Sequence, residues 1–121
     1  MVLFVGIVRK KVKLAWESRQ IEVEALIDTG TNRLIVPKDI AERLGLKPLF
    51  KVKAELAGES VKEVDVAPVL VEIMGRSAPD YAVIVEKGGV CVGAETLETL
   101  GLAVDPATGE LYPTRKFVWR V

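Results

Sequence analysis

Residues 25–31 read Ala-Leu-Ile-Asp-Thr-Gly-Thr. An apolar run delivers one carboxylate, Asp28, straight into Thr29, Gly30 and Thr31. A carboxylate at the end of an apolar strand is costly unless it is hydrogen-bonded or put to work. Gly30 lets the backbone turn sharply and approach its neighbours closely, and Thr29 sets a hydroxyl beside the acid. By itself the motif also suits an ordinary strand-to-turn transition, where Asp and Gly are common. The chain contains no histidine. That removes His-based acid–base catalysis, Ser-His-Asp and Cys-His pairs, and His-ligated metal sites. With Cys91 as the single cysteine, a zinc site is disfavoured, and the chemistry falls to Asp, Glu, Lys, Tyr, Ser or Thr.

The chain that must position this motif has 121 residues, half of them apolar and 28% charged. This is one domain, expected to span residues 1–121, and it can bury roughly two-thirds of its unfolded surface. The composition excludes a disordered tail and a collagen-like repeat. Seventeen basic and seventeen acidic residues cancel, leaving no global field to attract nucleic acid or an anionic membrane. No stretch approaches the ~20 apolar residues of a spanning helix. A lone cysteine allows no intrachain disulfide and fits a reducing cytoplasm.

Period-2 segments dominate. Residues 1–8 and 10–16 read as a hairpin or bent strand pair. Residues 20–27 alternate Ile21, Val23, Ala25 and Ile27 against Glu22 and Glu24, a half-buried strand. Residues 34–36 form a short buried strand. Pro37 suits the first turn of a helix running to Leu44, with Asp39 and Glu42 near its start, Ile40, Ala41 and Leu44 as its apolar stripe, and Gly45 as its stop. Residues 51–56 and 61–66 flank a hairpin tip at Ala57, Gly58, Glu59 and Ser60. Residues 69–74 and 81–86 flank a turn over 75–80. Residues 90–92 form a short strand, 95–100 a second helix with Leu97 and Leu100 inward, 105–109 a turn, and 116–121 a terminal strand.

Asp28-Thr29-Gly30-Thr31 superficially resembles the phosphate loop of actin-like and sugar-kinase folds, but those need two large domains, which 121 residues cannot supply. The arrangement resembles far more closely the retropepsin-like aspartic proteases, the family of the retroviral proteases and their small microbial relatives. Asp28-Thr29-Gly30 follows an apolar strand, as that family's catalytic loop does. Gly58 sits where the family places its flap. Residues 69–75 resemble the strand after the flap, and Val90-Cys91-Val92-Gly93 leads into a helix as the family's second motif does. The resemblance spans roughly residues 20–102. It implies an all-β, closed barrel with two short helices, working as a homodimer on a polypeptide substrate, with no metal and no cofactor.

The resemblance also assigns roles. Asp28 is the catalytic residue, meeting its copy across a twofold axis. Thr29, Gly30 and Thr31 support the loop. Gly30, Asn32, Ala57, Gly58, Glu59 and Val92 contact substrate, and Gly93 and Ala94 form the second motif. Ile27, Leu34 or Val36, and Leu56 are further candidate cleft walls. The chain departs from the family in several places. Thr31 replaces the usual Ala, and Asn32 and Ala94 stand where many members carry a paired Asp and Arg. Glu95 stands where Asp or Asn is usual, and the flap has one Gly. The helix from Pro37 and the segment from residue 105 onward are additional. A different reading of the same fold is a non-catalytic dimeric peptide-binding module.

The remaining conspicuous residues have plainer readings. Cys91, between valines, reads as a small buried hydrophobe. Trp16 and Trp119 read as core or interface anchors, and the basic run at residues 9–13 as a strand's solvent face. Asp65 and Asp80 are the fallback acids.

Overall fold

The structure, a computed structural model, describes residues 8–56 and 60–121. The expected strand at residues 1–8 and the hairpin tip at 57–59 fall outside them, apart from Val8. Strands β1 (Val8–Trp16) and β2 (Arg19–Ile27) form an antiparallel hairpin in register from Val8↔Ile27 to Trp16↔Arg19. Their alternation sets Val12, Leu14 and Ala25 fully inward. The lysines of the basic run pair with acids: Lys11 with Glu22 at 3.8 Å and Lys13 with Glu72 at 3.7 Å on the outward face, and Lys10, on the face of Val12 and Leu14 near the strand's start, with Glu110 at 3.3 Å. Arg9, Lys11 and Lys13 of the run therefore make the strand's outward face.

Next come β3 (Leu34–Pro37), α1 (Lys38–Leu44), β4 (Phe50–Glu55), β5 (Val61–Ile73) and β6 (Arg76–Val85). The chain continues through β7 (Cys91–Val92), α2 (Ala94–Leu100), β8 (Leu102–Val104) and β9 (Leu111–Pro113). The main sheet runs β1-β2-β7-β3-β6-β5, and β5 returns to β1 through Lys13↔Glu72, Leu14↔Val71 and Ala15↔Leu70. Six strands thus close on themselves, and closure removes exposed sheet edges from the ring. The interior is filled by side chains, among them Leu14, Leu34, Val36, Val69, Val71, Ile73 and Val92. The expected all-β closed barrel with two short helices is what forms. Strand β4 hangs off the first half of β5, so that Glu55↔Val61 closes a hairpin standing away from the ring.

Both helices lie where their punctuation puts them. Pro37 is the extended residue before α1 rather than its first turn, and Gly45 ends α1 at φ 68°. Ala41 and Leu44 are buried. Helix α2 begins one residue earlier than expected, at Ala94, and Gly101 ends it at φ 66°.

Three expectations are corrected. Strand β5 runs unbroken through Pro68, where the sequence suggested two strands. Pro68 lacks an N–H, but β4 pairs only as far as Val66 and β1 only from Leu70, so one edge of β5 is open there. The expected turn over 75–80 shrinks to Met74 and Gly75, both at positive φ (53° and 76°), the backbone of a tight hairpin. Pro79 lies inside β6, beyond the Ala82–Val85 stretch that β3 occupies in register. Finally, residues 116–121 form no strand. The chain beyond α2 instead folds as the β8–β9 hairpin around the turn at residues 105–109.

Candidate active site

Strand β2 ends inside the barrel at Ile27 and releases Asp28 at its rim. The Asp28 N–H donates to the Val92 carbonyl at 2.9 Å, so β7 fixes the point where the loop begins. Asp28 is partly buried, while Thr29 and Gly30 are exposed. The loop folds over its own acid: the Gly30 N–H donates to Asp28 Oδ1 at 2.8 Å. The Thr31 N–H and hydroxyl both donate to the Asp28 carbonyl, at 3.1 and 3.0 Å. A Cβ on Gly30 would stand 3.0 Å from Asp28 Oδ1, so the side chain's absence keeps that carboxylate oxygen within reach of the amide.

The second motif closes on the same loop. The Ala94 N–H donates to the Thr31 carbonyl at 2.8 Å and the Glu95 N–H to the Asn32 carbonyl at 3.0 Å. Gly93 is where the two segments touch. A Cβ there would lie 2.5 Å from the Asn32 carbonyl carbon and 2.7 Å from Arg33 N, so only glycine lets the backbones meet. Gly93 is extended (φ −93°), which any residue adopts; the demand is for space. Sequence reasoning noted the missing ionic pair at Asn32 and Ala94 but missed its replacement. One position further along each segment, Arg33 Nε meets Glu95 Oε2 at 3.4 Å, with the signs exchanged. Both side chains are at least half exposed, so the pair is worth at most about 1 kcal/mol. Arg33 sits three positions past Gly30 and Glu95 two past Gly93, and nothing in two surface charges signals that pairing.

Of the candidate walls, Val92, Leu34 and Val36 are fully enclosed within this chain and Ile27 nearly so, facing the barrel core, while Leu56 is half-buried. Because strands alternate, the neighbours Cys91 and Ile35, paired in register, face the opposite way and are partly exposed. Cys91 is thus less hidden than a core residue. Its Sγ lies 3.8 Å from Thr31 Oγ1. Burial pushes its thiol pKa up, the Thr31 hydrogen bond pulls it part-way back, and the Asp28 charge adds to the rise. Asn32 is exposed. Ala57, Gly58 and Glu59 are outside the described residues; the strands on either side, β4 and β5, pair as far as Glu55↔Val61. The fallback acids are occupied elsewhere. Asp65 accepts from Lys51 at 2.7 Å, and Asp80 accepts from Thr96 Oγ1 at 2.8 Å and the Tyr81 N–H at 2.7 Å. Among the described residues, no cluster of three or more His, Cys, Asp or Glu side chains is arranged to hold a metal ion.

The sequence profile described as aspartyl protease matches residues 12–93, from β1 through the second-motif glycine. The chain belongs to the aspartyl protease family. Its fold is that of the retropepsin-like branch. The EIAV protease solved in complex with the inhibitor HBY-793 superposes with a TM-score of 0.62 at 18% identity, over 79% of this chain and 89% of that one. No curated protein sequence matches. In this aspartyl protease the profile stops where α2 begins, so the helix, the β8–β9 hairpin and the tail lie beyond it. Within it lie Asp28, Thr29 and Gly30, the projecting β4–β5 hairpin, and β7 with Gly93.

Proposed function

We propose that this chain is an endopeptidase of the aspartic type, in which Asp28 from each of two identical chains forms one catalytic dyad. The observation that carries this reading is the loop itself. Asp28 is held by the Gly30 amide and by β7 at the barrel rim, while Thr29 and Gly30 face solvent. An anchored carboxylate on an open loop is placed to meet a copy of itself, and a twofold axis makes the same patch serve on both sides.

Two carboxylates in contact cannot both ionise comfortably, so they share one proton. The ionised member acts as general base on a water. The protonated member polarises the scissile carbonyl, and proton transfers carry the tetrahedral intermediate to products. Thr29 is assigned to brace the paired loops across the axis, Gly30 and Asn32 to line the peptide path, and the β4–β5 hairpin to close over the substrate and exclude water. An extended polypeptide suits a cleft covered by a hairpin, because it adds strand-like hydrogen bonds to both walls. Exposed apolar side chains at Val118 (68%), Trp119 (83%) and Val121 favour association with a second copy.

The test is incubation with an unfolded polypeptide between pH ~4 and ~7, the range in which a shared proton is populated, with sedimentation run alongside. Cleavage by the wild type, abolished in Asp28→Asn, is the expected result. Cleavage that survives Asp28→Asn overturns the mechanism. A proven dimer that cleaves none of several substrates is instead the non-catalytic peptide-binding module.

A further inference from the structure

Helix α2 has seven residues. Isolated helices shorter than ~12–15 residues do not persist in water, so this one depends on the burial of Thr96, Leu97 and Leu100 and on what holds its ends. Its first amides hold the catalytic loop, through Ala94 N–H to Thr31 and Glu95 N–H to Asn32. The four carbonyls at its C-terminal end, Glu98 to Gly101, lack the i+4 amide of a continuing helix; the Gly101 N–H reaches the Glu98 carbonyl at 3.0 Å, and guanidiniums from outside the helix bond to all four. Arg76 Nη1 donates to the Leu100 and Gly101 carbonyls, both at 3.0 Å. Arg115 Nη2 donates to the Glu98 and Thr99 carbonyls, at 3.3 and 3.0 Å. The last turn of α2 carries no basic residue of its own. The two guanidiniums complement the negative end of the helix and both lie over the ring of Phe117, at 5.5 and 6.0 Å from its centroid. The Thr114 N–H adds a bond to the Gly101 carbonyl at 2.8 Å. A Cβ on Gly101 would fall 2.9 Å from Arg76 Nη1 and 3.0 Å from Arg115 Cγ.

We propose that Arg115 and Phe117, together with Arg76, are positioning residues for the catalytic loop, acting through α2. This rests on the reading of Asp28–Gly30 as the catalytic loop, but it makes a claim that reading does not: the segment after α2 controls how firmly the loop is held. A seven-residue helix has no length over which to fray independently at each end. Releasing its C-terminal carbonyls therefore loosens the N-terminal amides that grip Thr31 and Asn32, and the loop with them.

The test is residue-resolved amide hydrogen exchange on the full chain, in wild type, Arg115→Gln and Phe117→Leu. Lys47→Ala, which breaks the remote Glu17 pair, is the control. Exchange at Ala94, Glu95 and Gly30 is expected to accelerate about tenfold in the first two variants relative to the amides of β5, and to stay unchanged in the control. If Arg115→Gln does not fold, Arg115→Lys, which keeps the charge but not the planar fork, takes its place. Acceleration confined to α2's last turn and the β8–β9 hairpin, or equal everywhere including β5, overturns the proposal. In active enzyme the same variants are expected to lower kcat about five- to tenfold with KM nearly unchanged. An inactive wild type would sink the endopeptidase reading, yet the exchange result would still decide the role of the clamp.

Discussion

At the scale of single residues, the site is made by contacts that admit few substitutes. Gly93 meets the Asn32–Arg33 backbone so closely that Gly93→Ala must push two main chains apart. That change is expected to cost about 2–3 kcal/mol, a fall in Tm of roughly 10 °C measured by thermal unfolding. Cys91 reports on Asp28 without taking part in the chemistry. Its raised thiol pKa favours the neutral form, so iodoacetamide is expected to modify it more slowly than free cysteine. Because the Asp28 charge contributes to that rise, Asp28→Asn is expected to speed the alkylation; a slower rate would contradict the placement of the two groups. The sign for stability follows. A raised folded pKa favours the neutral thiol, so this contribution is complete below the ordinary thiol range and is lost as the pH climbs through the raised value. The motif Asp28-Thr29-Gly30 was legible in the sequence because an acid, a hydroxyl and a glycine adjoin an apolar run. The Arg33–Glu95 bridge was not, since nothing in two ordinary surface charges says that a glycine 60 residues away brings their segments together.

At the scale of elements, helices were easier to read than strands. Both helices stop at a glycine in the left-handed region, and α1 starts after Pro37, signals that are local. Strand limits are set by partners that the sequence does not display. Pro68 falls between the two strands expected at 61–66 and 69–74 and Pro79 within the turn expected over 75–80, yet each stands inside a strand where one edge is open. The terminal residues 116–121 have the β-branched and aromatic composition of a strand, but β9 forms earlier, at Leu111–Pro113, because the turn at 105–109 returns the chain to β8. Helix α2 is tied to β6 by Thr96, which is 2% exposed and donates to Asp80. Thr96→Val leaves that carboxylate short of a donor and is expected to cost about 1–2 kcal/mol. Thr99→Val, whose exposed hydroxyl bonds only to its own helix at Glu95, is expected to stay within about 0.5 kcal/mol of wild type. Equal effects in chemical denaturation would remove Thr96 as a tie between layers.

At the scale of the whole molecule, one barrel holds one loop, and the chemistry proposed for it needs two. A pair of interacting carboxylates titrates as a unit. The pH dependence of kcat/KM is therefore expected to be bell-shaped, falling on the acid side as the second proton binds and on the basic side as the shared proton leaves. Specific activity is likewise expected to fall on dilution, as pairs separate into half-sites. The family and the barrel follow from the profile match over residues 12–93 and the likeness to the EIAV protease; the shared site is the central claim. Its most direct test is a mixing experiment, in which wild-type chains at fixed concentration receive an equal amount of Asp28→Asn chains under conditions where partners exchange. If each site draws one carboxylate from each chain, random pairing leaves about half of the wild-type chains with a defective partner and cuts activity per wild-type chain to about half. Activity per wild-type chain that holds constant as the mutant is added would mean that one chain carries the whole site, and would contradict the account.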